Sequence, residues 1–217
     1  MYNLKKGLNI PISGSPEGTV SDSTKISHVG ILGPDYIGMK PTMMVEVGDQ
    51  VKIGSVLFED KKNPGVFFTS PAGGLIKSIN RGEKRRFISI EIEVADQENQ
   101  VEILNDSDEI LLRNLSKYGV INNFRTRPFN KTPKPNDIPN DIFVNICDTN
   151  PLSVDPYIYL QHEIDLFNRS LIKLKEIFNC NIHVCYQNND FNNFIDGINY
   201  YNFKGPHPAG LLSLIHI

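Results

Sequence analysis

Glycine-punctuated β-type runs fill the chain from Met1 to about Val94, with no long helical periodicity among them. Val29–Gly33, Val51–Gly54, Val56–Phe58, Val66–Phe68, Leu75–Ile79 and Phe87–Ile92 follow one another with turn residues between. Strands repeating every roughly eight to twelve residues predict a small sandwich or barrel. From Val94 to Asp108 the chain is polar and acidic, a linker by composition. Asp108 is placed to cap a helix carrying Leu111, Leu112, Leu115 and Tyr118 on one face, with Gly119 to end it. A Pro/Asn-rich loop from Asn130 to Asp141 excludes regular structure. Beyond it the rhythm changes. Ile142–Ile146 reads as a buried strand. Asp155-Pro156 starts a helix with Leu160, Ile164, Phe167, Leu171, Leu174 and Phe178 at spacings of three and four, and Ile182–Cys185 reads as the next strand. Strand, helix, strand is the mark of a parallel sheet with a right-handed crossover.

The fold expected is therefore mixed α/β: an all-β module over residues 1–100, then an incomplete Rossmann-like α/β domain over 101–211. With 217 residues, 22 basic against 25 acidic and a net charge of −3, nothing calls for nucleic acid or a polybasic anchor. No apolar run approaches the roughly 20 residues of a spanning helix. Met1–Leu8 has lysines but no apolar run after them, so no secretory signal is read there. Cys147, Cys180 and Cys185 are too few for a disulfide framework, which suits a cytosolic protein. Residues 212–217, Leu-Ser-Leu-Ile-His-Ile, lack turn or cap chemistry and can be back-translated from a sequencing-library transposon end. They are expected to be a non-native tail on a truncated chain.

Val45–Leu57 sets a Gly-Asp turn before one strand and a glycine turn after it, and Ser70–Ile79 repeats the pattern. This resembles the biotinyl/lipoyl carrier fold, a flattened barrel-sandwich of two interleaved hairpins. Lipoyl domains carry their cofactor on a lysine after Asp, so Lys61 is the residue to weigh for modification. The interval from Asp49 is short for that family, and Lys-Asn-Pro-Gly follows Lys61. A carrier-like scaffold without a prosthetic group is preferred, with Lys61, Lys62, Lys84, Arg85 and Arg86 as solvated surface or a docking edge.

Longer runs carry a closer resemblance. Lys5–Leu8, Pro11–Gly14, Leu32–Met39, Lys40–Met43, Leu57–Gly65, Asn80–Arg85, Phe124–Phe129, Asp148–Leu152, His183–Cys185 and Gly205–Leu211 occur in order. Together they are similar to the NqrA family, the A subunits of the sodium-translocating NADH:quinone reductase, whose members are about twice as long. The resemblance implies a peripheral subunit on the cytoplasmic face of the inner membrane, docked on membrane subunits and especially on the membrane-embedded B subunit. It implies ubiquinone as the substrate of the complex, with flavins and an iron centre on other subunits and no cofactor bound by this chain. Quinone-proximal segments map onto Leu32–Met39 and Phe129–Asn136. Leu32, Tyr36, Met39 and Phe129 offer apolar surface, and Arg125 and Arg127 offer hydrogen bonds to a reduced quinone oxygen. No residue is expected to be catalytic.

The residues bear on the alternatives. After Gly119 come Val-Ile-Asn-Asn-Phe, side chains where a phosphate loop needs glycines, which disfavours a flavin cradle. No Cys-x-x-Cys-x-x-Cys run is present, which disfavours a cluster-binding member of the related Rnf-type electron-transport complex. Cys180, His183 and Cys185 allow a metal site on paper, but a core strand is preferred and no metal is expected. His207, between two prolines, reads as a turn residue.

Overall fold

A computed structural model describes residues 1–21, 24–95, 100–101, 114–187 and 191–211. The proposed cap Asp108, Leu111, Leu112 and the tail 212–217 lie outside the described residues. The contacts divide the chain into two compact units, one of residues 24–137 and one of 1–23 with 138–217.

In the first unit, eight-residue strands β7 (Gly74–Arg81) and β8 (Phe87–Val94) form a hairpin. With β2 (His28–Leu32) and β4 (Gln50–Val51) they make an antiparallel sheet in the order β2-β8-β7-β4. A three-stranded sheet joins β3 (Pro41–Met43), β5 (Val56–Asp60) and β6 (Phe67–Thr69) in the order β3-β5-β6. Alternation supplies the apolar faces: Leu57, Phe58, Phe68, Ile76, Phe87, Ile90 and Ile92 form one core between the sheets. Phe58 stacks on Phe68 at 4.6 Å and meets Phe87 edge-on at 5.2 Å, so one ring joins both sheets. The barrel-sandwich expected from the glycine-spaced runs is present.

The β7–β8 hairpin closes on a tight turn of the wrong composition. Arg86 N–H donates to Glu83 C=O at 3.1 Å, and the two residues between, Lys84 and Arg85, have φ of 53° and 60°. Both central residues left-handed is the type I′ geometry that favours Asn-Gly, and a side chain there costs about 1 kcal/mol or more. Lys84→Asn with Arg85→Gly is expected to stabilise this unit by about 1–2 kcal/mol. A higher urea midpoint at constant slope would register it, and an unchanged midpoint would show the turn to be unstrained.

The second unit is a four-stranded parallel sheet. Its order is β1 (Tyr2–Asn3), β11 (Asn199–Lys204), β10 (Asn181–Tyr186), β9 (Asp141–Ile146). The long helix Ile164–Phe178 connects β9 to β10 and buries Leu171 and Phe178, while Ile182, Val184 and Cys185 of β10 are fully enclosed. Asn179, at φ 46°, ends the helix in the left-handed conformation that suits Asn. The single helix expected from Asp155 onward is instead a turn at Tyr157–Leu160, a 3-10 turn at Gln161–Glu163 and then the long helix.

By contacts, neither unit is the whole of one stretch on either side of residue 100. The N-terminus belongs to the α/β unit because β1 pairs in parallel with β11 and Leu4 N–H reaches Lys204 C=O at 2.8 Å. Residues 114–137 belong to the β unit because Thr69 Oγ1 donates to Tyr118 C=O (3.2 Å) and Asn122 Nδ2 to Phe67 C=O (2.6 Å). Gly119 makes that approach possible: a Cβ there would lie 2.6 Å from Thr69 Oγ1. Among the described residues, no helix is long and apolar enough to cross a membrane.

Candidate functional site

The site grows from the end of β2. Gly33 lets the chain turn against β8, since a Cβ there would sit 2.6 Å from Phe87 C=O. Pro34 then starts a 3-10 turn over Gly33–Asp35, which closes through Tyr36 N–H to Gly33 C=O at 3.2 Å. Tyr36 is carried inward, half-buried, with its ring edge-on to Phe68 at 4.6 Å. Arg125 covers the same ring, its guanidinium 5.1 Å from the centroid. The Arg125 Nη1 donates to the carbonyls of Asn122 and Phe124, which fixes the charge over the tyrosine. Met39 packs on the barrel core, and Leu32 remains 50% exposed at the end of β2. Tyr36, Met39 and Arg125 are thus gathered on one side of the barrel.

Arg127 and Phe129 occupy a separate turn. Asn130 N–H closes it on Thr126 C=O at 2.8 Å, and Arg127 Nη1 reaches Asn130 Oδ1 at 3.4 Å. Phe129 is 72% exposed, with the Lys131 ammonium 5.9 Å from its ring centroid. The chain that follows is joined to this turn at Lys131, whose C=O accepts Thr126 N–H at 2.7 Å, and farther on to the barrel.

What holds both segments is the connection between β5 and β6, in which Lys61 and Lys62 read from sequence as solvated surface or a docking edge. The carboxylate of Asp60, itself buried, accepts the N–H groups of Lys40 and Lys62, each at 3.0 Å. Lys61 N–H donates to Lys40 C=O at 2.8 Å. Glu59 Oε1 accepts Gly65 N–H at 2.7 Å, and Gly65 has φ 87°. From this brace two neighbouring side chains reach outward in different directions. Lys62 Nζ donates to Gly38 C=O at 2.9 Å, and Asn63 Nδ2 donates to Pro133 C=O at 3.0 Å. Residues 62 and 63 therefore tether the 32–39 segment and the 130s loop to one turn. The sequence signal was there: an Asp whose oxygen caps the N–H two residues on, ahead of Asn-Pro-Gly, marks a built turn.

Open beside Tyr36 is a surface cleft of 710 Å³, bordered by Gly33, Pro34, residues 36–41, Lys62, Arg81 and residues 84–87.

In the α/β unit, three of the sequence runs converge at the carboxyl ends of the strands, the first of them through Leu8 N–H, which donates to His207 C=O at 2.9 Å. Gly210 N–H donates to Thr149 Oγ1 (3.0 Å), His207 Nδ1 lies 3.1 Å from the same oxygen, and His207 N–H donates to Asn9 Oδ1 (3.0 Å). His207 is thus a loop-joining residue. His183 Nε2 lies 2.8 Å from Asp141 Oδ1, and its ring stacks between Phe143 and Tyr201. The hydrogen bond from His183, then that from Asn181, lowers the Asp141 carboxyl below its ordinary range. Burial pushes the Cys147 and Cys185 thiols each up to about 12, so both are protonated near neutrality and pack with Phe203. Among the described residues, no three His, Cys, Asp or Glu side chains come together to hold a metal.

Comparison with known proteins covers both units. The NqrA N-terminal barrel-sandwich hybrid domain matches residues 2–95, and the NqrA second alpha/beta domain matches residues 106–217. The A subunit of the Na(+)-translocating NADH-quinone reductase of Yersinia pestis bv. Antiqua is 44% identical over 98% of this chain and 49% of its own length. The corresponding protein of Neisseria meningitidis serogroup B is 45% identical, and that of Histophilus somni strain 2336 is 41% identical, each over 97% of this chain and 49% of its own length. The chain spans about half the length of these relatives. It belongs to the NqrA family, the A subunits of the Na(+)-translocating NADH-quinone reductases.

Proposed function

We propose that this chain supports ubiquinone binding and reduction in a sodium-pumping NADH:ubiquinone oxidoreductase, as a peripheral part docked on the membrane-embedded B subunit at the cytoplasmic face. In this reading it brings no redox centre, and flavins and iron are carried by other subunits. The observation that carries it is the pair of tethers from Lys62 and Asn63, which brace the two segments assigned to quinone from one turn. Tyr36 and Met39 present ring and thioether surface to the quinone head or its isoprenoid tail. Arg125, held over Tyr36 by backbone carbonyls, supplies positive charge to an oxygen as it gains electrons. Leu32 and Phe129 extend the apolar surface, and Arg127 provides a second donor beside Phe129.

In the assembled complex, Tyr36→Ala is expected to raise the KM for quinone roughly tenfold, the loss of one aromatic contact and its cation–π partner. Phe129→Ala should raise it several-fold. NADH oxidation by an artificial acceptor should remain intact in both. A photoreactive quinone analogue should label wild-type complex at or near these residues. Unlabelled segments together with unchanged quinone kinetics in both variants would remove direct contact.

A further inference from the structure

We propose that the β unit docks on an anionic phospholipid surface through the cleft face formed by Lys40, Lys62, Arg81, Lys84, Arg85 and Arg86. The charge segregation is the first reason. A chain of net charge −3 places six of its 22 lysines and arginines on one cleft, and no Asp or Glu lines it. The nearest acids in sequence, Asp35 and Glu83, fall outside the lining, and the Asp60 carboxylate is occupied by two N–H groups beneath it. Ion pairs among the described residues join Lys77 to Glu93, Lys173 to Glu176 and Asp141 to His183, and use none of the six.

The second reason is what stands beside the charge. Ile37 is 55% exposed, and Leu32 and Ile88 are exposed as well. Leu32 pairs across the sheet with Ser89, next to Ile88, and Ile88 lies over Gly82 of the charged hairpin. Long cationic stems beside exposed aliphatic side chains suit the headgroup–acyl boundary, where cations meet phosphate and apolar groups enter the lipid. The left-handed Lys84-Arg85 pair adds a third observation. The fold bears backbone strain at the hairpin tip while keeping two charged side chains there rather than Asn-Gly, and such strain points toward function.

The cations also lie on three separate segments, the approach to β3, the β5–β6 connection and the β7–β8 hairpin, and among the described residues none of the buried, unpartnered polar atoms (Ser116 Oγ, Asn122 Oδ1, Asn202 Oδ1) lines the cleft. A discrete phosphate site would gather backbone N–H groups or a buried donor on one point. Diffuse charge with an apolar rim fits a surface. Charge and exposure carry the proposal, independently of quinone contact.

Vesicle co-sedimentation of the full chain tests it. Binding is expected to vesicles of phosphatidylcholine with phosphatidylglycerol, to weaken with added salt, and to be slight with phosphatidylcholine alone. A triple variant, Lys84→Gln, Arg85→Gln and Arg86→Gln, should lose roughly 100-fold in partitioning at an unchanged circular-dichroism spectrum. Removing three charges elsewhere, by Lys5→Gln, Lys6→Gln and Lys117→Gln, should leave most of the binding. Equal binding to both vesicle types, equal loss in the two triple variants, or no loss in the first would overturn the proposal. So would full displacement by inorganic phosphate at matched ionic strength, which would indicate a discrete anion site. Retention on polyglutamate without vesicle binding would reassign the face to an acidic protein.

Discussion

Phe58→Ala is expected to destabilise the β unit by about 3–5 kcal/mol, the range for deleting a buried phenylalanine ring. The size follows from position. Phe58 is wholly enclosed, stacked on Phe68 of its own sheet and edge-on to Phe87 of the other, so its loss opens a cavity where the two sheets meet. Neighbours on two hydrogen-bonded sheets cannot collapse far into that space, which keeps the cost near the upper part of the range. Domains of this kind hold about 5–15 kcal/mol in total, so the variant should sit near its unfolding threshold at room temperature. Phe129→Ala removes the same ring from a site that is 72% exposed, and it should change stability by less than about 0.5 kcal/mol. Urea unfolding of the two variants makes the comparison, with the midpoint falling at constant slope for Phe58 only. A loss below about 1 kcal/mol at Phe58 would show that the sheets are not joined through this ring.

Much of the fold was legible because burial writes a period into sequence. The Leu160–Phe178 stripe faces inward as its three- and four-residue spacing demands, with Leu171 and Phe178 deepest. Each of the six β-type runs before Val94 contains or overlaps a strand or a bridge. The failures share a different cause: they rest on partners far away in sequence. Strand β11 reads Asn-Tyr-Tyr-Asn-Phe-Lys, a run without clean alternation, and it is a strand because β10 and β1 flank it. Two residues at the extreme N-terminus could not announce a pairing with Phe203 and Lys204. The type I′ turn was hidden because Lys84-Arg85 carries none of the residues such a turn favours.

The site divided in the same way. Tyr36 and Arg125 were each candidates from sequence, but nothing in sequence says that one lies over the other. Lys62 reads from sequence as solvated surface or a docking edge, and Asn63 only as one residue of the Leu57–Gly65 run. Their role is visible only once Gly38 and Pro133, 24 and 70 residues away, arrive beside them.

Asp60→Ala should therefore have consequences out of proportion to its place in a turn. Asp60 is 8% exposed, and its carboxylate takes two backbone N–H groups, from Lys40 and Lys62, on one oxygen. Bonds to a charged acceptor are worth about 1.5–3 kcal/mol each, and the donors left behind are partly shielded from water. A loss of about 2–4 kcal/mol is expected, less than the sum because the two bonds share an oxygen and relax together. Asp60→Asn keeps a carbonyl oxygen in that place without the charge, and it should lose about half as much. The two variants also separate stability from positioning. Freed from Asp60, the turn no longer fixes the direction of Lys62 and Asn63, so the 32–39 segment and the 130s loop shift together. In the assembled complex, Asp60→Ala should then raise the quinone KM roughly tenfold while leaving NADH oxidation by an artificial acceptor unchanged, and Asp60→Asn should lie between it and wild type. If Ala and Asn proved alike in both unfolding and KM, the carboxylate would be a bystander and the brace would have to lie in the backbone of the turn alone.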